Sequence, residues 1–238
     1  MAHCYLHVDL TLGDVGQRVE LSETESRHAA VARLRVGERV MLTSGSGTLA
    51  EARVLESGKR STTLLVLSAR EVPRPESKFT LVQALAKGER SEIAVAAATE
   101  LGVDAIVPWQ AERSIVQWRG ERADKGVQKW QSAATEASKQ AIRPWIPHVA
   151  PLAVTSDLRG LGAALVVLDP ESELSLVDAL EQGSTAFVVG PEGGISPTEL
   201  QELEDAGAKR VRLGQEVLRT STAGLAAIAA ASPVLGRW

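Results

Sequence analysis

Cysteine is almost missing from this chain of 238 residues: Cys4 stands alone, so no internal disulfide can form. Histidine is scarce as well, and His3, His7, His28 and His148 are too scattered to make the spaced Cys/His set that holds zinc. His3, Cys4 and His7 read as the start of a strand. Aromatic residues make up only 3%, yet the hydrophobic fraction is 44%, so an ordinary globular core must be built mainly from aliphatic side chains. No apolar run approaches the roughly 20 residues of a membrane span, and the opening MAHCYLHVDL lacks the basic-then-apolar order of a signal peptide. A cytoplasmic protein is expected. A G-x-x-x-x-G-K-[ST] phosphate loop is absent too. Excess positive charge is also lacking: the formal net charge is −4, which at face value speaks against a nucleic-acid partner. The acid is concentrated in the last third, however. Arg27, Arg33, Arg35 and Arg39 form one local positive cluster and Lys139 to His148 another, each readable as a phosphate-binding patch or as a solvated helix face.

The length suits one large domain or two of ordinary size. Up to residue 72 the pattern is mostly short alternating strands, at Arg39–Thr43, Leu49–Leu55 and Thr62–Ala69. One helix interrupts them, opened by the capping box Ser22-Glu23-Thr24-Glu25 and predicted to run to about Leu34. Residues Glu71 to Lys78, with Pro73, Pro75 and several charges, read as a linker, which gives domains 1–72 and 73–238. Beyond it strands and helices alternate: strands Phe79–Ala84, Ala105–Trp109, Ala164–Leu168, Thr185–Val189 and Arg210–Leu213, with helices at Glu92–Leu101, Asp124–Ile142, near Leu174–Leu180, after Ser196-Pro197-Thr198-Glu199, and from about Ser221. This order predicts a parallel sheet covered by helices on both faces, with ligands at the carboxyl ends of its strands. The last helix, rich in alanine with Leu225 and Ile228, is expected to be buried on all sides.

Two glycine-rich segments compete as ligand loops. Gly45-Ser46-Gly47-Thr48-Leu49-Ala50 matches G-x-G-x-x-A, but the residues after it alternate like a strand and offer no helix N-terminus to a pyrophosphate, so it reads as a hairpin turn. Gly190-Pro191-Glu192-Gly193-Gly194-Ile195 instead ends a predicted strand, as do Leu168-Asp169-Pro170 and Leu213-Gly214-Gln215-Glu216-Val217-Leu218-Arg219-Thr220-Ser221-Thr222-Ala223. Three glycines in five residues let backbone approach a flat ligand and leave its N–H and C=O groups unblocked, as adenine recognition requires. Singly, each segment is an ordinary strand-to-helix turn; together they point to one site.

These segments resemble the ribosomal RNA small subunit methyltransferase E family, of the SPOUT class of trefoil-knotted methyltransferases. Nearly the whole chain takes part. His28 to Gly37 (HAAVARLRVG) is similar to an amino-terminal stretch of the family, and Lys87-Gly88-Glu89-Arg90 to its K-G-x-R. Thr99 to Val103 (TELGV), Glu112-Arg113-Ser114 and Gln140 through Arg143 to Pro147 continue the match. The most specific pieces are the knot motifs at Gly190–Gly194 and Leu218–Ala223. Ser221 and Lys139 depart from it, standing where the family usually has glutamates.

The resemblance implies an α/β fold with a knotted parallel sheet, preceded by a small PUA-like β-barrel that binds RNA. It implies S-adenosylmethionine (SAM) as cofactor, N3 of a uridine in 16S rRNA as methyl acceptor, the small ribosomal subunit or its rRNA as partner, and a homodimer formed through the knotted domain. Carried over by position, the cofactor contacts are Leu168, Asp169, Gly190, Pro191, Glu192, Gly193, Gly194, Leu213, Gly214, Val217, Leu218, Thr220, Thr222 and Ala223. Arg113, Arg143 and Arg219 are the expected catalytic donors, and His28, Arg33, Arg35, Lys87 and Arg90 the expected RNA contacts. Neither metal nor membrane enters this scheme. Two other readings remain open at this point: a knotted enzyme acting on ribose 2′-oxygen or on transfer RNA, and a non-catalytic ribosome-assembly factor.

Overall fold

The computed structural model describes residues 3–238. They form two compact units: the chain up to Arg74 together with Glu136–Ile146, and Pro75–Thr135 together with Pro147–Trp238. The linker at residues 71–78 therefore marks one division, but a single break after residue 72 does not describe the chain, because a later segment returns to the first unit.

In the first unit, β1 (Cys4–Leu6), β2 (Arg18–Glu20), α1 (Glu23–Val31), β3 (Arg39–Thr43), β4 (Thr48–Ser57) and β5 (Thr62–Glu71) give a five-stranded sheet in the order β1-β3-β4-β5-β2. β1 runs parallel to β3; the other pairs are antiparallel. Alternation along the strands buries Val40, Leu42, Ala50, Ala52, Val54, Leu64 and Val66 in one core with Tyr5. Helix α1 starts at the expected cap, with Ser22 Oγ accepting from the Glu25 N–H at 3.2 Å, but the return half of the capping box is not made: the Glu25 carboxylate accepts from the Leu6 N–H and from Lys139 instead. It stops short of Leu34, because Arg33 adopts φ 57°, a left-handed conformation that cannot continue a helix.

The returning segment is held by specific contacts. Trp145 donates through Nε1 to the Val72 carbonyl at 2.9 Å and lies under the Arg74 guanidinium, 4.1 Å from the ring centre. Lys139 is 5% exposed, with its ammonium 2.7 Å from Glu25 and 2.8 Å from Glu136. Burial works against that charge, but the hydrogen bonds to Glu136 and Glu25 outweigh it and hold the pKa above the ordinary lysine value. The ammonium is thus the cation among the converging donors Glu25, His28 and Glu136. Beside it, desolvation, with a smaller push from Glu25, raises the Cys4 thiol to about 12.

The second unit contains β6 (Phe79–Ala84), α2 (Arg90–Glu100), β7 (Ala105–Trp109), α3 (Glu121–Gln140, whose end from Glu136 groups with the first unit), β8 (His148–Val149), β9 (Ala164–Leu168), α4 (Leu176–Ala179), β10 (Thr185–Val189), α5 (Pro197–Asp205), β11 (Lys209–Val211) and α6 (Thr220–Val234). Its six strands are all parallel, in the order β11-β9-β10-β6-β7-β8. Successive residues feed opposite cores. Phe79, Leu81, Phe187 and Val189 pack with Trp130 and α6 on one face, while Val82, Ala84, Ala186 and Val188 pack with Trp109, Leu158 and Leu203 on the other. Both faces being covered explains why these strands are nearly unbroken apolar runs.

Within the single chain, helix α6 buries one face. It is not buried all round: Thr220, Ala223, Gly224, Ala227, Ile228, Ala231 and Ser232 form a buried stripe, while Leu225, Ala226 and Ala229 are partly exposed and Ala230 is exposed. A side chain at Gly224 would come within 2.6 Å of Leu81 and 3.1 Å of Val189, so the glycine lets α6 lie directly on β6 and β10.

Candidate functional site

In the second unit the chain leaves β9, β10 and β11 through loops that surround a cavity of about 750 Å³, within the range of pockets that take small organic ligands. Eleven of the fourteen residues expected at a cofactor line it: Leu168, Asp169, Gly190 through Gly194, Val217, Leu218, Thr220 and Ala223. Leu213, Gly214 and Thr222 are not among its walls; the loop from β11 reaches the cavity only from Val217 onward. Arg113 and Arg219, expected to be catalytic, do line it, and so does Arg90, expected at RNA. Lys87 does not, but its N–H donates to Glu192 Oε1 at 3.3 Å. Arg143 groups with the first unit, where the Thr43 hydroxyl donates to its carbonyl at 2.8 Å. Pro170 and Ile195, which belong to the segments singled out in the sequence, complete the wall together with Glu171, Val189, Pro197 and Leu200, which carried no such signal.

Local forces shape each loop. The G-P-E-G-G turn follows the fully buried β10 and ends at α5, whose capping box has Ser196 Oγ accepting from the Glu199 N–H at 3.2 Å and Glu199 Oε2 accepting from the Ser196 N–H at 3.2 Å. Glu199 also accepts at Oε1 from the Thr155 hydroxyl at 2.7 Å and from the Glu112 N–H at 2.9 Å. That single buried carboxylate therefore ties the Glu112-Arg113-Ser114 loop to the glycine turn. Next to it, Arg113 donates to the Gly193 carbonyl at 3.3 Å. A Cβ on Gly193 would meet the Arg113 Cβ at 3.2 Å and its carbonyl oxygen at 3.3 Å, so the missing side chain makes room for Arg113.

Two of the cavity's three carboxylates are committed. Asp169 is held by Arg210, with Nε donating at 2.8 Å, and Glu171 N–H donates to its other oxygen at 2.9 Å. Glu192 accepts from Arg90 at 3.2 Å as well as from Lys87. Burial would raise the Glu192 pKa, but its own N–H, that of Lys87 and the Arg90 guanidinium outweigh burial and hold the carboxyl below its usual range. Arg219, exposed at the start of α6, forms no ion pair with Glu216 or Glu192 among the described residues. Its guanidinium and that of Arg113 are the positive groups at the cavity not neutralised by a carboxylate. The walls between are apolar, built by Leu168, Val189, Ile195, Leu200, Val217 and Leu218. A flat, partly apolar ligand with polar ends fits such a set: aliphatic walls, main chain brought close at Gly190, and charges of both signs at the rim.

Residues 73–232 match the RNA methyltransferase domain family, and residues 21–67 its PUA domain. The chain is 42% identical over its full length to the ribosomal RNA small subunit methyltransferase E of Mycobacterium bovis, of which the match covers 94%. The chain belongs to this family. The enzyme of the same description from Bacillus subtilis is 30% identical over 85% of the chain and 84% of its own. Among solved structures, the ribosomal RNA small subunit methyltransferase E from Neisseria gonorrhoeae bound to S-adenosyl methionine is similar with a TM-score of 0.89, 31% identity and 98% of each chain covered. The fold is accordingly that of the SPOUT methyltransferases with an amino-terminal PUA-like domain. Among the described residues, no helix is long and apolar enough to cross a membrane.

His28 and Arg33, expected at RNA, lie in the first unit and serve different ends. His28 turns Nδ1 to within 3.3 Å of the Lys139 ammonium, so that nitrogen belongs to the buried ion cluster. Arg33 and Arg35 are exposed on the loop after α1. Lys139, in the place of a usual family glutamate, supplies the cation of that cluster; Ser221 is partly exposed in the first turn of α6.

Proposed function

We propose that the protein methylates N3 of a uridine in 16S rRNA, using SAM bound in the cavity of the second unit, and that it does so as a cytoplasmic homodimer. The observation that carries this reading is the convergence of the G-P-E-G-G and L-R-T loops around one cavity edged by two arginines without carboxylate partners. When bound, SAM supplies an electrophilic methyl group. The protein's task is to hold the acceptor in line with it and to make the acceptor nucleophilic. Neutral uracil N3 carries a proton. A guanidinium donating to a uracil carbonyl stabilises the anion and lets that proton pass to water, and Arg113 and Arg219 are the groups able to donate in this way. Arg33 and Arg35 in the first unit, with Lys87 beside the second unit's cavity, supply phosphate contacts that set the position of the RNA.

Primer extension on 16S rRNA from a deletion strain tests the acceptor, since N3 methylation blocks pairing and leaves a stop that must vanish with the gene and return with the parent protein. A stop that persists removes the assignment. In the complementing protein, Arg219→Ala should slow single-turnover methyl transfer by about 2–4 kcal/mol of transition-state stabilisation with little change in SAM affinity. Equal losses in rate and affinity would make Arg219 a loop-holding residue instead.

A further inference from the structure

Gln83 lies near the carboxyl end of the central strand β6 and is 1% exposed. An uncharged polar side chain in such a place costs free energy unless its hydrogen bonds are made. Only half of this amide is served: Nε2 donates to the Thr220 hydroxyl at 3.0 Å and to the Ala84 carbonyl at 3.2 Å, while Oε1 has no partner. A methionine would fill the same volume without an orphan oxygen, so packing does not account for the amide. What it donates does. The Thr220 hydroxyl has one proton, and with Gln83 donating to its oxygen that proton is directed to the Gly190 carbonyl, at 2.7 Å. Gly190 opens the loop after β10, and Thr220 opens α6. Both line the cavity; Gln83 does not.

We infer that Gln83 is a positioning residue for the cofactor site, acting through the Thr220 hydroxyl to fix the distance between the two loops that flank it. The inference rests on the reading of this cavity as the SAM site. Without the amide the hydroxyl can turn away, and the Gly190 carbonyl loses the bond that holds its peptide in place.

Calorimetric titration with SAM on the full-length protein tests both layers separately. Failure of the parent protein to bind SAM would remove the reading of the cavity and leave the chain of bonds unassigned. With the parent binding, Gln83→Met and Thr220→Val should each weaken SAM about tenfold, and the double variant should be no weaker than the poorer single one, since both cut the same chain. Thr220→Ser, which keeps the hydroxyl, should stay within about threefold of the parent. At saturating SAM the single-turnover rate of Gln83→Met should approach the parent rate, which separates positioning from general loss of structure. SAM affinity in Gln83→Met within about twofold of the parent, or losses that multiply in the double variant, would overturn the inference. Should Gln83→Met fail to fold, Gln83→Leu takes its place in the same comparison.

Discussion

The chain has two glycine-rich turns, and they use the same residue for opposite purposes. At residues 44–47 the glycines close the hairpin between β3 and β4 with φ of 73° at Gly45 and 119° at Gly47, and the space they leave is filled from within the unit. A Cβ on Gly47 would fall 2.5 Å from the Trp145 ring, and one on Gly45 2.6 Å from Ile146. Main-chain bonds complete the seal: Gly47 N–H donates to Pro144 and its carbonyl accepts from Val72, both at 2.8 Å. At residues 190–194 only Gly194 has a positive φ. There the glycines border a cavity, with Ile195 packed against Gly190 and Arg113 against Gly193. One turn is a closed joint; the other is an open wall. A G-x-G spacing reports neither, because what matters is which side chain or ligand arrives from elsewhere in the chain.

The contrast is most sharply broken by Gly47→Val. The substitution forces a β-branched residue into a left-handed conformation, costing on the order of 1–3 kcal/mol, and overpacks Trp145 by a similar amount, so the first unit should melt well below its parent temperature. SAM titration at low temperature should be unaffected, because the turn belongs to the other unit. A parent-like melting curve would show that the joint is looser than its distances imply. Gly193→Val should have a smaller effect of the opposite kind: about 1–3 kcal/mol of crowding against Arg113, expressed as weaker SAM binding and slower transfer with only a modest change in melting temperature. Unchanged affinity and rate would take this turn out of the site.

Glu192→Gln should do least. The carboxyl is held below its usual range, so its contribution is fully present above the ordinary glutamate pKa of about 4.3 and is lost as pH falls through the lower folded value. At neutral pH the variant should be less stable by about 1 kcal/mol or less, and the gap between variant and parent should close on acidification. Melting both at neutral and acidic pH checks the sign; a gap that persists in acid would assign the loss to packing.

Much of the second unit could be read from the chain because its strands are buried on both faces. Phe79–Ala84, Ala105–Trp109, Ala164–Leu168 and Thr185–Val189 are largely apolar runs, and the strands have those same bounds. The strands β2 and β8, three and two residues long, carry too few positions for a period to show. The ligand loops were legible because glycine and proline punctuate them. Gln83 and Glu199 were not: one looks like a lapse in an apolar strand and the other like an ordinary helix cap, and their roles come from partners 137 and 44 residues away. The return of Glu136–Ile146 to the first unit was hidden for the same reason, since a tryptophan fitted onto a glycine turn about a hundred residues earlier leaves no periodic trace.

The pairing of β6 with β10, with α6 laid across both, also sets a schedule for synthesis. When β6 leaves the ribosome, the neighbour it needs on one side and the helix that covers it are still to be made, more than a hundred residues later. At about 5–20 residues per second that wait is on the order of ten seconds, during which a largely apolar strand is without its cover. Any protective factor that meets the nascent chain has that interval in which to act, and the cavity beside β10 cannot exist before it ends.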